Sequence, residues 1–241
     1  MSSEHKKHYI VQPGGKLQGE LRVPGDKSIS HRSIMLGSLA EGVTEVSGFL
    51  EGEDALATLA AFRAMGVQID GPQNGKVTIH GVGMHGLKGS DKEIYLGNSG
   101  TSTRLLSGLL AGQNFATTLT GDKSLSGRPM RRVTEPLATM GAVIDSDEGK
   151  LPLTIKAGNK LKGITYTLPM ASAQVKSCIL LAGMYAKGKT TVTEPAPTRD
   201  HTERMLTGMG YAVEVKGDTV SIEGGGKLTA TSIDVPADIS S

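Results

Sequence analysis

Apolar and polar positions follow two rhythms along the chain, and both rhythms recur. Stretches such as ISHRSIMLGSLA, TSTRLLSGLLAG and QVKSCILLAGMYA carry their apolar residues at helical spacing. By contrast, VQIDGPQNGKVTIHG, AVIDSDEGKLPLTIKA and YAVEVKGDTVSIEGG alternate with period two around a polar turn, the mark of paired strands. Each of these hairpins follows a Met-Gly pair, Met65-Gly66, Met140-Gly141 or Met209-Gly210. Glycine just past the last turn is the usual left-handed end of a helix. One unit therefore reads strand, helix, strand, helix, then two hairpin strands. A leucine opens each copy, at Leu17, Leu87, Leu161 and Leu228, in steps of 70, 74 and 67 residues.

The pattern predicts an α/β fold of three repeated βαβαββ units. The terminal GKLTATSIDVPADISS begins a fourth copy and reaches Ser241 where that copy's first helix would start. The expectation is a fragment, the N-terminal part of a longer protein. Residues 1–20 form a segment whose strand would pair with an absent C-terminal domain, and residues 21–241 form the domain of three repeats.

Composition narrows the function classes. A net charge of +2 over 241 residues does not announce nucleic acid, yet it suits small anions held by locally placed cations. With no Trp and 3% aromatics, the core must rest on Leu, Ile, Val, Ala and Met, and platforms for stacking bases are scarce. The single cysteine, Cys178, excludes an internal disulfide. The start, MSSEHKKHYIV, has no apolar core of a secretory signal. The longest apolar stretch, CILLAGMYA, is shorter than the ~20 residues of a membrane span. A cytoplasmic protein is expected.

The candidate chemistry gathers where the first helix of each unit begins. In PGDKSISHRSIML, Asp26, Ser28 and Ser30 are all cap candidates, with Lys27 just before the helix and Arg32 near its start. Cations there oppose the helix dipole, which makes sense if an anion is bound by the free backbone N–H groups and both side chains. LGNSGTSTRLL offers a small-residue loop, Asn98 to Ser102, in which Gly100 permits close backbone approach, with Arg104 just inside. MASAQVKSC places Ser172, Ala173 and Gln174 at the third start, followed by Lys176. Repeats related by rotation would turn all three starts toward one rim. Arg128, fixed by Pro129, and Arg199, before a second helix with Asp200 and Thr202 as cap candidates, could add bidentate anion contacts. For Arg131, Arg132 and Arg204 surface salt bridges are the simpler reading. Cys178 reads as core, the histidines show no metal spacing, and HKKH reads as a solvated tail.

Taken in order, VPGDKSISHRSIMLGSLAEG, LGNSGTSTRLLSGLLAG, GDKSLSGRPMRRV, PMASAQVKSCILLAG and TRDHTERMLTGMG closely resemble the 5-enolpyruvylshikimate-3-phosphate synthase family. The resemblance runs from about Gly14 to Ser241, and KSISHR and SAQVKS resemble its class II bacterial branch. It implies two similar domains, each of three βαβαββ units, that close over substrates, with crossovers near RVPGDK and DVPADISS. The implied reaction moves the enolpyruvyl group of phosphoenolpyruvate to the 5-hydroxyl of shikimate 3-phosphate, releasing phosphate, with no metal or organic cofactor. By the same resemblance, Lys27 is the catalytic lysine that touches both substrates. Ser28, Arg32, Ser172, Ala173, Gln174 and Arg199 contact shikimate 3-phosphate. Gly100, Arg128 and Gln174 contact phosphoenolpyruvate.

The chain departs from the pattern at Ala173, where some relatives have a second Ser; Arg199 is expected to supply phosphate binding instead. Gly100 stands where glyphosate-tolerant class II relatives have Ala, so a glyphosate-sensitive enzyme is expected. The acidic proton-transfer residues of the family belong to the other half, so this chain is expected to need a complementary C-terminal domain. A related UDP-N-acetylglucosamine enolpyruvyl transferase would carry Asn after the first lysine and a reactive Cys loop; here Ser28 follows Lys27, and Cys178 lies in a helix pattern. A freestanding sugar-phosphate binding module is a further alternative.

Overall fold

A computed structural model of the chain describes residues 10, 12–16 and 18–240. Leu17, the first of the leading leucines, and the HKKH motif lie outside the described residues.

The elements fall into sets of the same order. The first comprises α1 (Lys27–Leu39), β1 (Ala40–Ser47), α2 (Glu53–Ala64), β2 (Gln68–Gln73) and β3 (Lys76–Val82). The second runs β4 (Ile94–Tyr95), α3 (Gly100–Ala111), β5 (Thr117–Thr120), α4 (Lys123–Ser126), α5 (Arg131–Met140), β6 (Ile144–Asp147) and β7 (Lys150–Ile155). The third runs β8 (Thr165–Thr167), α6 (Ala173–Gly183), β9 (Lys189–Thr193), α7 (His201–Gly208), β10 (Val213–Lys216) and β11 (Thr219–Glu223). Two short strands follow, β12 (Leu228–Thr229) and β13 (Ser232–Asp234).

Among the described residues there are three sheets, ordered β12-β1-β3-β2 with β13 also beside β1, β4-β5-β7-β6, and β8-β9-β11-β10. In each, a parallel edge is followed by two antiparallel pairs, and in the first sheet β12 and β13 share that parallel edge. The Met-Gly stops are as read: Gly66, Gly141 and Gly210 have φ of +88°, +102° and +83°, a region open to glycine and strained for most other residues.

The first sheet differs from the sequence expectation. The described residues before α1 contain no strand beyond a single bridge from Gly25 to Ala237. The parallel strand beside β1 comes instead from β12 and β13, pairing Ala40 with Leu228 and Val46 with Ile233. The segment read as the opening of a fourth unit therefore completes the sheet of the first. Burial drives this closure, since Leu228 and Val235 are both fully buried.

The first helix of each set is the most deeply buried. Helices α1, α3 and α6 carry Ile34, Leu36, Leu105, Leu109, Ile179 and Leu181 into the core. Helix α3 lies directly on α6; a Cβ at Gly108 would sit 2.1 Å from the Cys178 carbonyl oxygen. Cys178 is buried there, as read, and burial pushes its thiol up to about 12.

Candidate active site

Each of the three buried helices starts behind a side-chain cap. Asp26 Oδ1 accepts from Ile29 N at 2.7 Å, Ser99 Oγ from Ser102 N at 3.2 Å, and Ser172 Oγ from Val175 N at 3.3 Å. Among the cap candidates at the first start it is Asp26 that serves; the Ser30 hydroxyl instead donates to the Asp26 carbonyl at 2.8 Å. In the third set Asp200 is the cap residue of α7, without a side-chain cap bond.

Side chains stitch these starts together. His31 Nδ1 lies 2.8 Å from Thr58 Oγ1, which lies 2.6 Å from Ser102 Oγ, itself 2.6 Å from Ser99 Oγ; this joins α1, α2 and α3. Arg104 Nη1 donates to Gln174 Oε1 at 2.6 Å, and Gln174 Nε2 donates to Thr101 Oγ1 at 3.0 Å, joining α3 to α6. Arg32 donates to Thr202 Oγ1 at 2.7 Å and to Ser177 Oγ at 2.8 Å, joining α1 to α6 and α7. The openings of three helices from different units thus form one neighbourhood, so their unpaired N–H groups add to one positive field.

Gly100 lies within that field between two guanidinium groups. A Cβ built on it would sit 3.1 Å from Nη1 of Arg104 and 3.1 Å from Nη1 of Arg128. Arg128 is held by Asn98 Oδ1, and Asn98 Nδ2 donates to Asp122 Oδ2 at 2.8 Å. Asp122 also caps α4, accepting from Leu125 N at 2.7 Å, and these hydrogen bonds keep its carboxyl below the usual range. Arg104 is half-buried, and its pKa is lowered first by burial and then by the like charges of Arg132 and Arg128. Such crowding of cations is relieved by an anion.

Two readings change here. Arg132, taken as a surface salt-bridge residue, adds its charge to the Arg104 cluster. Arg104, Asn98 and Thr101, noted at the second helix start without an assigned ligand contact, bond into the site. The sequence signal for Arg104 was its spacing: four residues after Gly100 on a helix, its side chain leans back over the helix opening. Arg204 does pair with Asp200, at 2.7 Å, as a surface ion pair.

Lys27 is the first residue of α1, with Nζ 3.2 Å from Asp54 Oδ2 in the first turn of α2. The Ser28 carbonyl accepts from Arg32 Nη1 at 2.9 Å. Arg32 itself is only 4% exposed. Among the described residues, three of its five N–H donors are used inside the domain. Burial lowers its pKa to about 10, with Glu203 and Asp26 acting in the opposite sense, so it remains a cation at neutral pH. Arg199 is exposed on the loop between β9 and α7, close enough for its charge to act on Arg32 and His201. Lys176, which the sequence placed with the cations of the third start, turns inward, 1% exposed, with Nζ 2.6 Å from both Glu194 and Glu203.

The chain is an α/β domain whose rim of helix openings crowds arginines around a glycine. The model of EPSP synthase (3-phosphoshikimate 1-carboxyvinyltransferase) matches residues 11–241, and the chain belongs to that family. It is 72% identical over 234 residues to a 3-phosphoshikimate 1-carboxyvinyltransferase of Methylococcus capsulatus, covering 97% of this chain and 54% of that protein. A protein of the same description from Alkalilimnicola ehrlichii is 69% identical, with 97% and 52% covered. A solved structure of EPSP synthase from Acinetobacter baumannii superposes with a TM-score of 0.90 at 64% identity, covering 92% of this chain and 50% of that one. The chain spans about half the length of the curated relatives it matches.

Proposed function

We propose that this chain forms one wall of the active site of an enzyme that transfers the enolpyruvyl group from phosphoenolpyruvate to the 5-hydroxyl of shikimate 3-phosphate. The observation that carries the reading is Gly100 between Arg104 and Arg128, beside two other helix openings. Phosphoenolpyruvate brings a carboxylate and a phosphate into a small volume. A glycine backbone flanked by two guanidinium groups provides room and paired charge for it. Ser172, Ala173, Gln174 and Arg199 receive the phosphate of shikimate 3-phosphate, with Ser28 and the remaining Arg32 donors on the ring. Gln174, bonded to both Arg104 and Thr101, lies between the two substrates. Lys27 reaches both substrates.

In the reaction the 5-hydroxyl gives up its proton as its oxygen adds to C2 of the enol and C3 takes a proton, giving a tetrahedral intermediate; the C2–O bond to phosphate then breaks as C3 loses a proton. Lys27, Arg104 and Arg128 oppose the charge that grows on the departing phosphate. The proton-transfer groups and further cationic ligands come from a complementary C-terminal domain that closes on this rim.

Calorimetric titration tests the reading. Shikimate 3-phosphate is expected to bind this chain weakly. Tight joint binding with phosphoenolpyruvate is expected only after a C-terminal half from a relative is added. Equal affinity for shikimate and shikimate 3-phosphate would overturn the reading.

A further inference from the structure

Beneath the rim, four charged side chains, from α1, α6, the loop after β9 and α7, are almost wholly buried. Lys176 on α6 is 1% exposed and meets Oε1 of Glu194 and Oε1 of Glu203, each at 2.6 Å. Glu194 and Glu203 are 8% and 5% exposed. Arg32 of α1 adds the fourth charge, bonded to Ser177 and Thr202, the sequence neighbours of Lys176 and Glu203. Thr202 Oγ1 also donates to Ser177 Oγ at 2.7 Å.

Stability alone does not account for this cluster. Buried ion pairs recover little more than their desolvation cost, and apolar replacements of similar volume are often as stable. Apolar residues already fill the neighbouring positions Val175, Cys178 and Ile179. A cation in the first turn of α6 also opposes the helix dipole. What a charge cluster does impose is a fixed spacing between the elements that contribute to it.

Those elements carry the two phosphate-facing groups. The Lys176 amide donates to the Ser172 carbonyl at 3.0 Å, so the lysine is one helical turn behind the Ser172 cap. Glu194 uses its second oxygen, Oε2, to accept from the hydroxyl of Thr198, the residue before Arg199. The loop from Glu194 to Asp200 contains no helix or strand, and this bond fastens it across itself. Lys176 thereby ties the Ser172 helix opening to the base of the Arg199 loop.

We infer that Lys176, Glu194 and Glu203 are positioning residues that set Ser172–Gln174 and Arg199 against each other as a phosphate clamp. The inference rests on the functional reading above. Its test compares shikimate 3-phosphate with shikimate by NMR titration of the 241-residue chain, a measurement that reads millimolar binding. Wild type is expected to prefer the phosphorylated ligand. Glu194→Gln and Lys176→Met are expected to lower affinity for shikimate 3-phosphate about tenfold while leaving shikimate within about twofold. Lys176→Arg is expected to restore most of the preference. Thr198→Val removes the loop fastening without stranding a buried charge, so it covers the case in which the charge variants fold poorly; it is expected to weaken the phosphorylated ligand alone. If folded variants keep the wild-type preference, the inference is overturned and the functional reading stands. If wild type itself shows no preference, both fall.

Discussion

A methyl group on Gly100 would touch the far ends of two flexible arginines, not backbone, at 3.1 Å in each case. Gly100→Ala is therefore expected to fold normally, with a melting temperature within about 2 °C of wild type, because both side chains can yield by a few tenths of an ångström. The guanidinium groups it displaces are the ones proposed to hold phosphoenolpyruvate. In the assembled enzyme the KM for that substrate is expected to rise about tenfold. The unsubstituted enzyme is expected to be inhibited by glyphosate, and the alanine variant less so; steady-state rates with and without the inhibitor check both. His31 supports a different prediction. Fully buried beside Thr58 and Ser102, with Nε2 lacking a hydrogen-bond partner among the described residues, it has a pKa lowered to about 4, chiefly by burial. The unfolded chain takes up a proton near the ordinary value of 6.5, whereas the folded chain does not until about 4. Stability is thus unaffected by His31 above pH 6.5 and is lost as pH falls from 6.5 to 4, by about 3 kcal/mol in all. His31→Gln is expected to be the less stable protein at pH 7, with the gap to wild type closing toward pH 4 in urea unfolding. A gap that stays constant with pH would contradict the assignment.

At the scale of elements, helix boundaries were legible because their signals are local. Asp26, Ser99 and Ser172 cap α1, α3 and α6 with their own side chains, and a Met-Gly pair ends α2, α5 and α7. Ser172→Ala is expected to cost about 1 kcal/mol, a fall of roughly 2–4 °C in melting temperature for a chain of this size. Shikimate 3-phosphate should protect the variant less than wild type, which thermal scans with and without the ligand check. Hairpins were legible for the same reason: period-two runs around Asn74-Gly75 and Glu148-Gly149 pair as read. What local patterns could not show was pairing at long range. Strand β1 takes its parallel partner from residues 228–234, nearly the whole chain away, and no periodicity names that partner. The inward turn of Lys176 was hidden for a like reason. Its partners Glu194 and Glu203 lie in a later loop and helix, so at its own position the lysine looked like another cation of the rim. Arg104 was misweighted because its role comes from Gln174 and Gly100 meeting in space.

Across the whole molecule, the repeat explains why the site is at one end. Three sheets of one strand order each cradle the first helix of their own set, and the openings of those helices are joined by side chains. The two segments expected to cross between domains also meet. Gly25 bridges Ala237, Asp26 N donates to the Pro236 carbonyl at 2.9 Å, and Asp238 N donates to the Pro24 carbonyl at 2.9 Å. Arg22 adds a bond to Asp234 at 2.8 Å. Near this paired stalk Leu21 and Ile239 are 83% and 91% exposed. Apolar side chains presented this way gain by being covered, by roughly 1.5–3 kcal/mol each if fully buried. We therefore expect a complementary C-terminal half, such as that of the Methylococcus capsulatus relative, to associate at this stalk and leave the rim facing its own helix openings. Turnover is expected to be negligible for this chain alone and to return on mixing the halves, read as phosphate release from phosphoenolpyruvate in the presence of shikimate 3-phosphate. Leu21→Glu should weaken the association, shifting the half-maximal concentration of the added half upward about tenfold while leaving the rate at saturation unchanged. That split separates the stalk from the chemistry: a variant that lowers the saturated rate without changing the concentration dependence would place Leu21 in the catalytic cleft, and full turnover by this chain alone would remove the need for a second half.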